Sequence, residues 1–415
     1  MHDPESVVTA MAVAIGVRLR LKIGGKLPMK SLLPPKGTEV DSLAHPAIHE
    51  LSALLEELTS IGAPTFREKR RSDFIKSWLC NNVDDSATND EIGNVWLDLS
   101  KGGDRLHLVD AHIDTVFSYE TVTIRKDRER WWAPGILDNT VSCAMLMMWA
   151  KMVARNAGVQ PILLTFTVGE EGEGNLRGMR QTNDRFGSRL ASALVLDLSL
   201  DAASFQAVGS SRFRIGWKTA GGHSWSQFGQ PSAIHEMARW VTRLENAFPW
   251  KEGSHSFNVG TVEGGVGVNV IAEHAQITLD VRSIDPDFLQ DLDKWMEQAA
   301  ASKDENIAIT SVDLGKRPAS SLDPDASMVA AIEQIHRDLE IPLRFAVYST
   351  NGNTLLASNI PTITTGLALG GGIHTEHEYL EVASLPTGFA KLCQLLASRL
   401  ASRNCVHNGM VPQKQ

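Results

Sequence analysis

The sequence predicts an α/β protein: a three-layer α/β/α domain with a mainly parallel sheet, carrying an inserted, smaller α+β domain of βαββαβ order. Three observations carry this expectation. From His45 to about Ala207, apolar β-branched segments such as "PILLTFTVG" alternate with helical ones. One of the helical segments, "TVSCAMLMMWAKMVARN", is long enough for the crossover that parallel strands require. Near Ala207 the order changes to strand, helix, strand, strand, helix, strand, and alternation resumes after it.

Residues 1–44 read as an N-terminal extension. Its apolar run Val7–Val17 is preceded by acidic residues and followed by the basic "RLRLK", the reverse of an export signal, so an accessory helix or loosely held segment is expected. In "HPAIHELSALLEELTSIG", Ile48, Leu51, Leu54, Leu55 and Leu58 share one helical face, and Pro46 suits a first turn. A second helix is expected over Phe66 to Leu79. "NVWLDLS", "RLHLVDAHID", "PILLTFTVG" and "SALVLDLS" follow as strands. These elements belong to a domain spanning 45–206 and 314–403.

The inserted domain covers 207–313. "RFRIGWKTAGG", "SFNVGTVEGG", "EHAQITLDVRS" and "NIAITSVDLG" are its strands. "PSAIHEMARWVTRLENA" is its first helix, and Asp285 with Pro286 opens the second. The order matches the split βαβ arrangement of ferredoxin-like units. Afterwards "SMVAAIEQIHRDLEI" reads as helix, "LRFAVYST" and "PTITTGLA" as strands, and "ASLPTGFAKLCQLLASRL" as a closing helix; 404–415 is a polar tail.

A chain of 415 residues exceeds one ordinary core, and 43% hydrophobic with 21% charged residues describes a soluble globular protein. A net charge of −9 argues against a nucleic-acid surface and against anionic membranes as partners. Cys80, Cys143, Cys393 and Cys405 are scattered and form no CxxC pair, so reduced thiols and a cytoplasmic location are expected.

In open α/β sheets, ligands bind beyond the carboxyl ends of the strands. Those ends and their loops collect His112, Asp114, Asp138, Glu170, Glu171, Asp197 and His374. Each alone reads as a solvated strand end or a cap. Together they form a carboxylate cluster that is costly without cations. Imidazole and carboxylate suit zinc, manganese or cobalt, and two ions sharing one bridging carboxylate would distribute the charge.

These motifs resemble the M20 family of metallopeptidases, the group of carboxypeptidase G2-, peptidase T- and aminoacylase-type enzymes. "HID" (112–114) is similar to its His-x-Asp motif, "GILDN" to its bridging-Asp loop, "GEEGEGN" to its Glu-Glu turn, "VLD" ending at Asp197 to its third carboxylate site, and "GGGIHTEHE" to its late His-x-x-x-Glu element. The resemblance spans about His45 to Leu400 and implies two divalent ions, zinc first. It implies Asp138 as bridge, His112 with Asp197 on one ion, and Glu171 with His374 on the other. Glu170 would be the general base, and Asp114 would orient His112.

His374 is preferred over His377 as ligand, and His107, inside a strand, reads as a packing or edge residue. In the insert, His223 of "TAGGHSW" resembles a family histidine that reaches the other subunit's active site; the alternative is a surface turn histidine. Arg282 resembles a substrate-carboxylate arginine, with an ion pair to Asp280 as the alternative. Asn269 and Asn353 match substrate-side asparagines, and Asn351 stands where the family commonly has Asp.

The implied function is cleavage of an amide bond in small peptides or N-acyl amino acids by a homodimer formed through the insert. A narrower N-acyl or N-carbamoyl amino acid amidohydrolase and a non-catalytic binding protein on the same fold are the alternatives.

Overall fold

The computed structural model of the chain describes residues 46–100, 103–156, 161–300 and 305–401. The segments expected as an accessory helix (7–17) and a polar tail (404–415) lie outside the described residues. The chain forms two compact units. One comprises the chain up to Phe205, Leu322–Ala346 and the chain from Thr350; the other comprises Gln206–Ser321 and Val347–Ser349.

In chain order the first unit lays down α1 (Pro46–Ser60), α2 (Lys69–Asn82), β1 (Thr88–Asn89), β2 (Val95–Asp98), β3 (Leu106–His112), α3 (Val141–Asn156), β4 (Ile162–Thr167), α4 (Arg177–Phe186), β5 (Leu190–Leu196) and β6 (Ala202–Ser204). The second unit holds β7 (Gly209–Lys218), α5 (Ala233–Ala247), β8 (His255–Gly264), β9 (His274–Ser283), α6 (Pro286–Ala300) and β10 (Ala308–Arg317). The chain returns with α7 (Ser327–Asp338), β11 (Arg344–Phe345), α8 (Gly352–Ala357), β12 (Thr362–Thr365) and α9 (Leu385–Ala401).

The eight-stranded sheet of the first unit has the order β1-β2-β4-β3-β5-β12-β6-β11. Its central run β4-β3-β5-β12 is parallel, while β2 joins antiparallel. All six residues of β4 are buried, as a strand covered on both faces requires. Alternation along the strands feeds two cores. Val109, Ala111, Leu164, Phe166, Leu194 and Leu196 pack with the apolar faces of α1, α3 and α9. Leu106, Leu108, Leu163, Ala193 and Val195 pack with Met179 and Phe186 of α4 and Leu355 of α8. The sheet lies between two helical layers.

Two elements differ from expectation. The second helix begins at Lys69 rather than Phe66, because Phe66 has φ 72°, a left-handed conformation no helix interior admits. The strand expected over "LRFAVYST" shrinks to Arg344–Phe345. Beyond it the backbone leaves the sheet, and the Tyr348 carbonyl accepts the Val208 N–H at 3.0 Å within the second unit.

In the second unit the sheet order is β8-β9-β7-β10, antiparallel throughout. Ile277, Leu279 and Val281 are buried against Trp240, Leu244, Phe288 and Leu292 of α5 and α6. Asp285 caps α6, its Oδ1 accepting the Asp287 N–H at 2.9 Å. The unit runs on to Ser321 instead of ending at 313. β10 pairs with β7 as far as Arg317, and Ser320–Ser321 pairs with Gln206–Ala207. Where the chain crosses back, the Leu322 N–H donates to the Phe205 carbonyl at 2.8 Å.

Among the described residues no helix is long and apolar enough to cross a membrane. One buried cation in the first unit makes a prediction. Lys391 of α9 is wholly buried, and its ammonium donates to the Leu200 carbonyl, Thr365 Oγ1 and the Gly366 carbonyl at 2.7 to 3.0 Å. Burial lowers its pKa to about 7, against the pull of Asp201. Between pH 7 and the ordinary lysine range the unfolded chain binds the extra proton, so this group makes stability rise with pH. Relative to Lys391→Met, the wild-type chain should gain about 2 kcal/mol between pH 7 and 9 in denaturant titrations. A pH-independent difference would mean Lys391 stays charged when buried.

Candidate metal centre

The parallel strands finish at one edge. His112, the last residue of β3, lies opposite Thr167 at the end of β4, and Leu196 of β5 lies opposite Thr365 of β12. The residues that follow are therefore delivered together: Asp114 after β3, Glu170 and Glu171 after β4, and Asp197 after β5. His374 comes from the loop beyond β12, and Asp138 from the turn ahead of α3.

Asp138 is the hub. Its Oδ1 lies 3.0 Å from His112 Nε2 and its Oδ2 lies 3.1 Å from His374 Nε2. His374 Nε2 is also 3.0 Å from Glu171 Oε1. Ligand atoms of His112, Asp138 and Glu171 all fall within 4.8 Å of one another. Asp197 is held by its N–H on the Thr365 carbonyl and by Oδ1 accepting the Leu198 N–H at 2.6 Å. His377 is exposed, its N–H turned to Thr375 Oγ1. His107 bonds Ser192 Oγ through Nδ1 at 2.8 Å, a packing contact within the sheet.

Asp114 does more than orient an imidazole. His112 Nδ1 hydrogen-bonds its main-chain carbonyl at 3.1 Å, while the carboxylate stands 3.5 Å away. The carboxylate oxygens accept the N–H groups of Glu170 at 2.9 Å and Glu171 at 3.0 Å, plus the Thr65 hydroxyl. One buried acid thus anchors the main chain of two others. Burial opposes its charge, but hydrogen bonding from His112 and both amides holds its pKa below the usual range.

The electrostatics are those of a crowded acidic site. Burial and the charges of Asp138 and Glu170 push Glu171 up to about 7, although His374 opposes this. Burial and Asp138 raise Asp197 to about 7. Hydrogen bonds to Asp138 and Glu171 raise His374 to about 10. Burial disfavours a charged His112, yet its bonds to Asp114 and Asp138 prevail and raise it well above an ordinary imidazole. Burial opposes the charge of Asp138, but its bonds to His112 and His374 prevail and drive its pKa low. Burial opposes the ionisation of these clustered acids, and divalent cations held among them would offset their charge. Both Nε2 atoms face the carboxylates, and the nitrogen and oxygen donor set suits zinc, manganese or cobalt. The residues fit a metal centre.

Three further groups support this site, and sequence reasoning gave them no role. Asp110 is buried beneath His112 on β3, accepting from Thr165, Thr167 and Asn351 at 2.8 to 2.9 Å. Asn351 supplies an N–H donor where a second acid would meet Asp110 with none. Arg71 is fully buried, donating to the Ile61 and Ile113 carbonyls and to Thr140 Oγ1. Glu378 accepts main-chain N–H groups of the Asp138 turn. A Glu four residues after His374 was the available signal for Glu378; Asp110 inside an apolar strand was the signal for the first network.

The other expected residues are placed as follows. Asn353 is buried in the first unit, its Oδ1 accepting the Thr350 N–H at 2.8 Å, so it braces its own turn. His223, Asn269 and Arg282 belong to the second unit. The turns of His223 and Asn269 are joined, with the Ser224 N–H on the Asn269 carbonyl at 3.0 Å and Gly222–His223 paired to Val270–Ile271. His223 is exposed, and its Nδ1 accepts the N–H groups of Trp225 and Ser226. Arg282 forms the ion pair left open by the sequence, Nε to Asp280 Oδ2 at 2.8 Å, half-exposed and therefore weak.

Comparison with known proteins accords with this geometry. Residues 108–398 match the model of Peptidase family M20/M25/M40. A probable carboxypeptidase of Ajellomyces dermatitidis is 26% identical over 317 residues, covering 68% of this chain and 70% of that protein. A tripeptidase of Staphylococcus aureus superposes with a TM-score of 0.71 at 17% identity, over 85% of this chain and 98% of that one. A Bacillus subtilis protein described as a dinuclear metal binding peptidase of the M20 family gives 0.62 at 14% identity, over 85% and 98%. At such identities the structural likeness speaks for the fold, and the family match carries the assignment: this chain belongs to the M20/M25/M40 peptidase family and is a metallopeptidase-type hydrolase.

Proposed function

We propose that the protein is a dinuclear metal-dependent hydrolase that cleaves an amide bond in small peptides or N-acyl amino acids. The observation that carries this reading is Asp138 presenting one oxygen to each of two imidazoles, with Glu171 on one of them and Glu170 adjacent. His112 and Asp197 would hold one ion, Glu171 and His374 the other, and Asp138 both. Divalent cations bound there supply Lewis acidity towards the scissile carbonyl and acidify water. Glu170 takes the proton from water and returns it to the leaving amine. Asp114 holds Glu170 at its station through the main-chain amide. The tripeptidase and carboxypeptidase relatives support a peptide substrate. Zinc is the proposed metal, and His223 would serve the neighbouring subunit of a homodimer built through the second unit.

Elemental analysis of chelator-free protein dialysed against dilute zinc tests this. About two ions per chain are expected, lost together with dipeptide, tripeptide or N-acyl amino acid hydrolysis on chelation and restored by zinc. No tightly held divalent ion under any supply would overturn the reading. The mass of the same preparation in solution should be that of a dimer, and a strict monomer removes the role of His223.

A further inference from the structure

We infer that Glu378 is the positioning residue that sets the aim of Asp138. Asp138 arrives on an irregular turn, Ala133–Asp138. Pro134 has no N–H, and the Ile136 N–H is used within the turn, on the Ala133 carbonyl at 3.2 Å. Every other main-chain donor of the turn ends on Glu378. Its Oε2 accepts the Gly135 N–H at 2.8 Å, and its Oε1 accepts those of Leu137 at 2.8 Å and Asp138 at 3.0 Å. Its own carbonyl accepts the Ala133 N–H at 3.1 Å.

Gly135 has φ 74°, and a Cβ there would stand 2.4 Å from Thr115 Cγ2, so the position requires glycine, the residue with the widest backbone freedom, and Glu378 fastens the turn that it loosens. A wholly buried carboxylate beside the carboxylate of Asp138 is unfavourable on charge alone. Three charge-assisted bonds to main chain offset that cost, and they act on the turn that carries Asp138.

Glu378 also follows His374 by one short loop, closed by the Thr375 N–H on the Gly372 carbonyl and the Glu378 N–H on the Thr375 carbonyl. One side chain therefore registers the Asp138 turn against the loop that delivers His374. The two sides of the hub are fixed to each other before anything binds. The bracing stands on geometry alone; its effect on metal affinity rests on the function proposed above.

The test compares wild type with Glu378→Gln in two readouts. Hydrogen exchange of the metal-free proteins is expected to speed up about tenfold or more over 133–140 and to stay unchanged elsewhere. Zinc affinity is expected to fall about 10- to 100-fold, with kcat reduced and KM retained at saturating zinc. An amide keeps the shape but turns an NH2 towards one of the three donors. Glu378→Asp, which keeps the charge and shortens the reach, takes its place if the glutamine variant does not fold. Wild-type exchange rates over 133–140 in the folded variant, or zinc affinity within twofold of wild type, overturn the inference. If wild type itself binds no zinc, the proposed hydrolase fails while the exchange comparison still decides the bracing.

Discussion

Glu170→Ala is expected to lower kcat by about 10²- to 10⁴-fold while zinc content stays at the wild-type level. The side chain is almost fully buried, and its main chain is held by Asp114 Oδ1 at 2.9 Å. The contacts that join imidazoles to carboxylates run through Asp138 and Glu171, so its removal leaves that set in place. Glu171→Ala takes away one of the two carboxylates beside His374 and should lose metal and activity together. The pair of variants, assayed for turnover and metal side by side, separates proton transfer from metal holding. Equal metal loss in both, or full turnover in Glu170→Ala, would refute this division of roles.

Asp114→Asn should be nearly as damaging for a different reason. The carboxylate receives two amides and a hydroxyl, and an asparagine must turn an N–H towards one of those donors. Leaving a buried donor unmatched costs about 1–3 kcal/mol, and the metal affinity should drop about 10- to 100-fold as the Glu170–Glu171 turn and His112 loosen. The pH dependence has a defined sign. Asp114 titrates below its unfolded value, so its stabilisation is present above the ordinary aspartate pKa and is lost as pH falls through the folded one. The stability gap between wild type and Asp114→Asn, from urea titrations of metal-free protein, should therefore narrow in acid. A gap constant from neutral pH to well below the aspartate range would contradict the bonding described.

Much of the fold was legible because burial follows chemistry along the chain. β4 reads as a continuous apolar run, and the five apolar positions of α1 are all buried on one face. Strand ends and the loops beside them grouped Asp138, Glu171 and His374 without coordinates, and His374 Nε2 lies within 3.1 Å of both carboxylates. Other features depend on contacts between segments distant in sequence. The start of α2 is set by a left-handed Phe66, whose N–H bonds Glu68 Oε1, and composition does not announce that. Glu378 lies more than two hundred residues from the amides it binds, so no local pattern links them. Arg282 shows the reverse limit: a strand-face arginine reads equally as a ligand for carboxylates and as a neighbour of Asp280, and the register of β9 leaves it beside Asp280.

The Leu322 N–H meets the Phe205 carbonyl at 2.8 Å, although all of the second unit except Val347–Ser349 lies between them in sequence. To the first unit that excursion is a closed handle whose ends already meet. The entropy of closing a long handle grows only logarithmically, by about 0.6 kcal/mol per doubling of its length. The host sheet therefore pays almost the same whether a tight turn or a whole domain hangs there. The junction lets the chain make a long excursion while β6 keeps β12 and β11 as its neighbours.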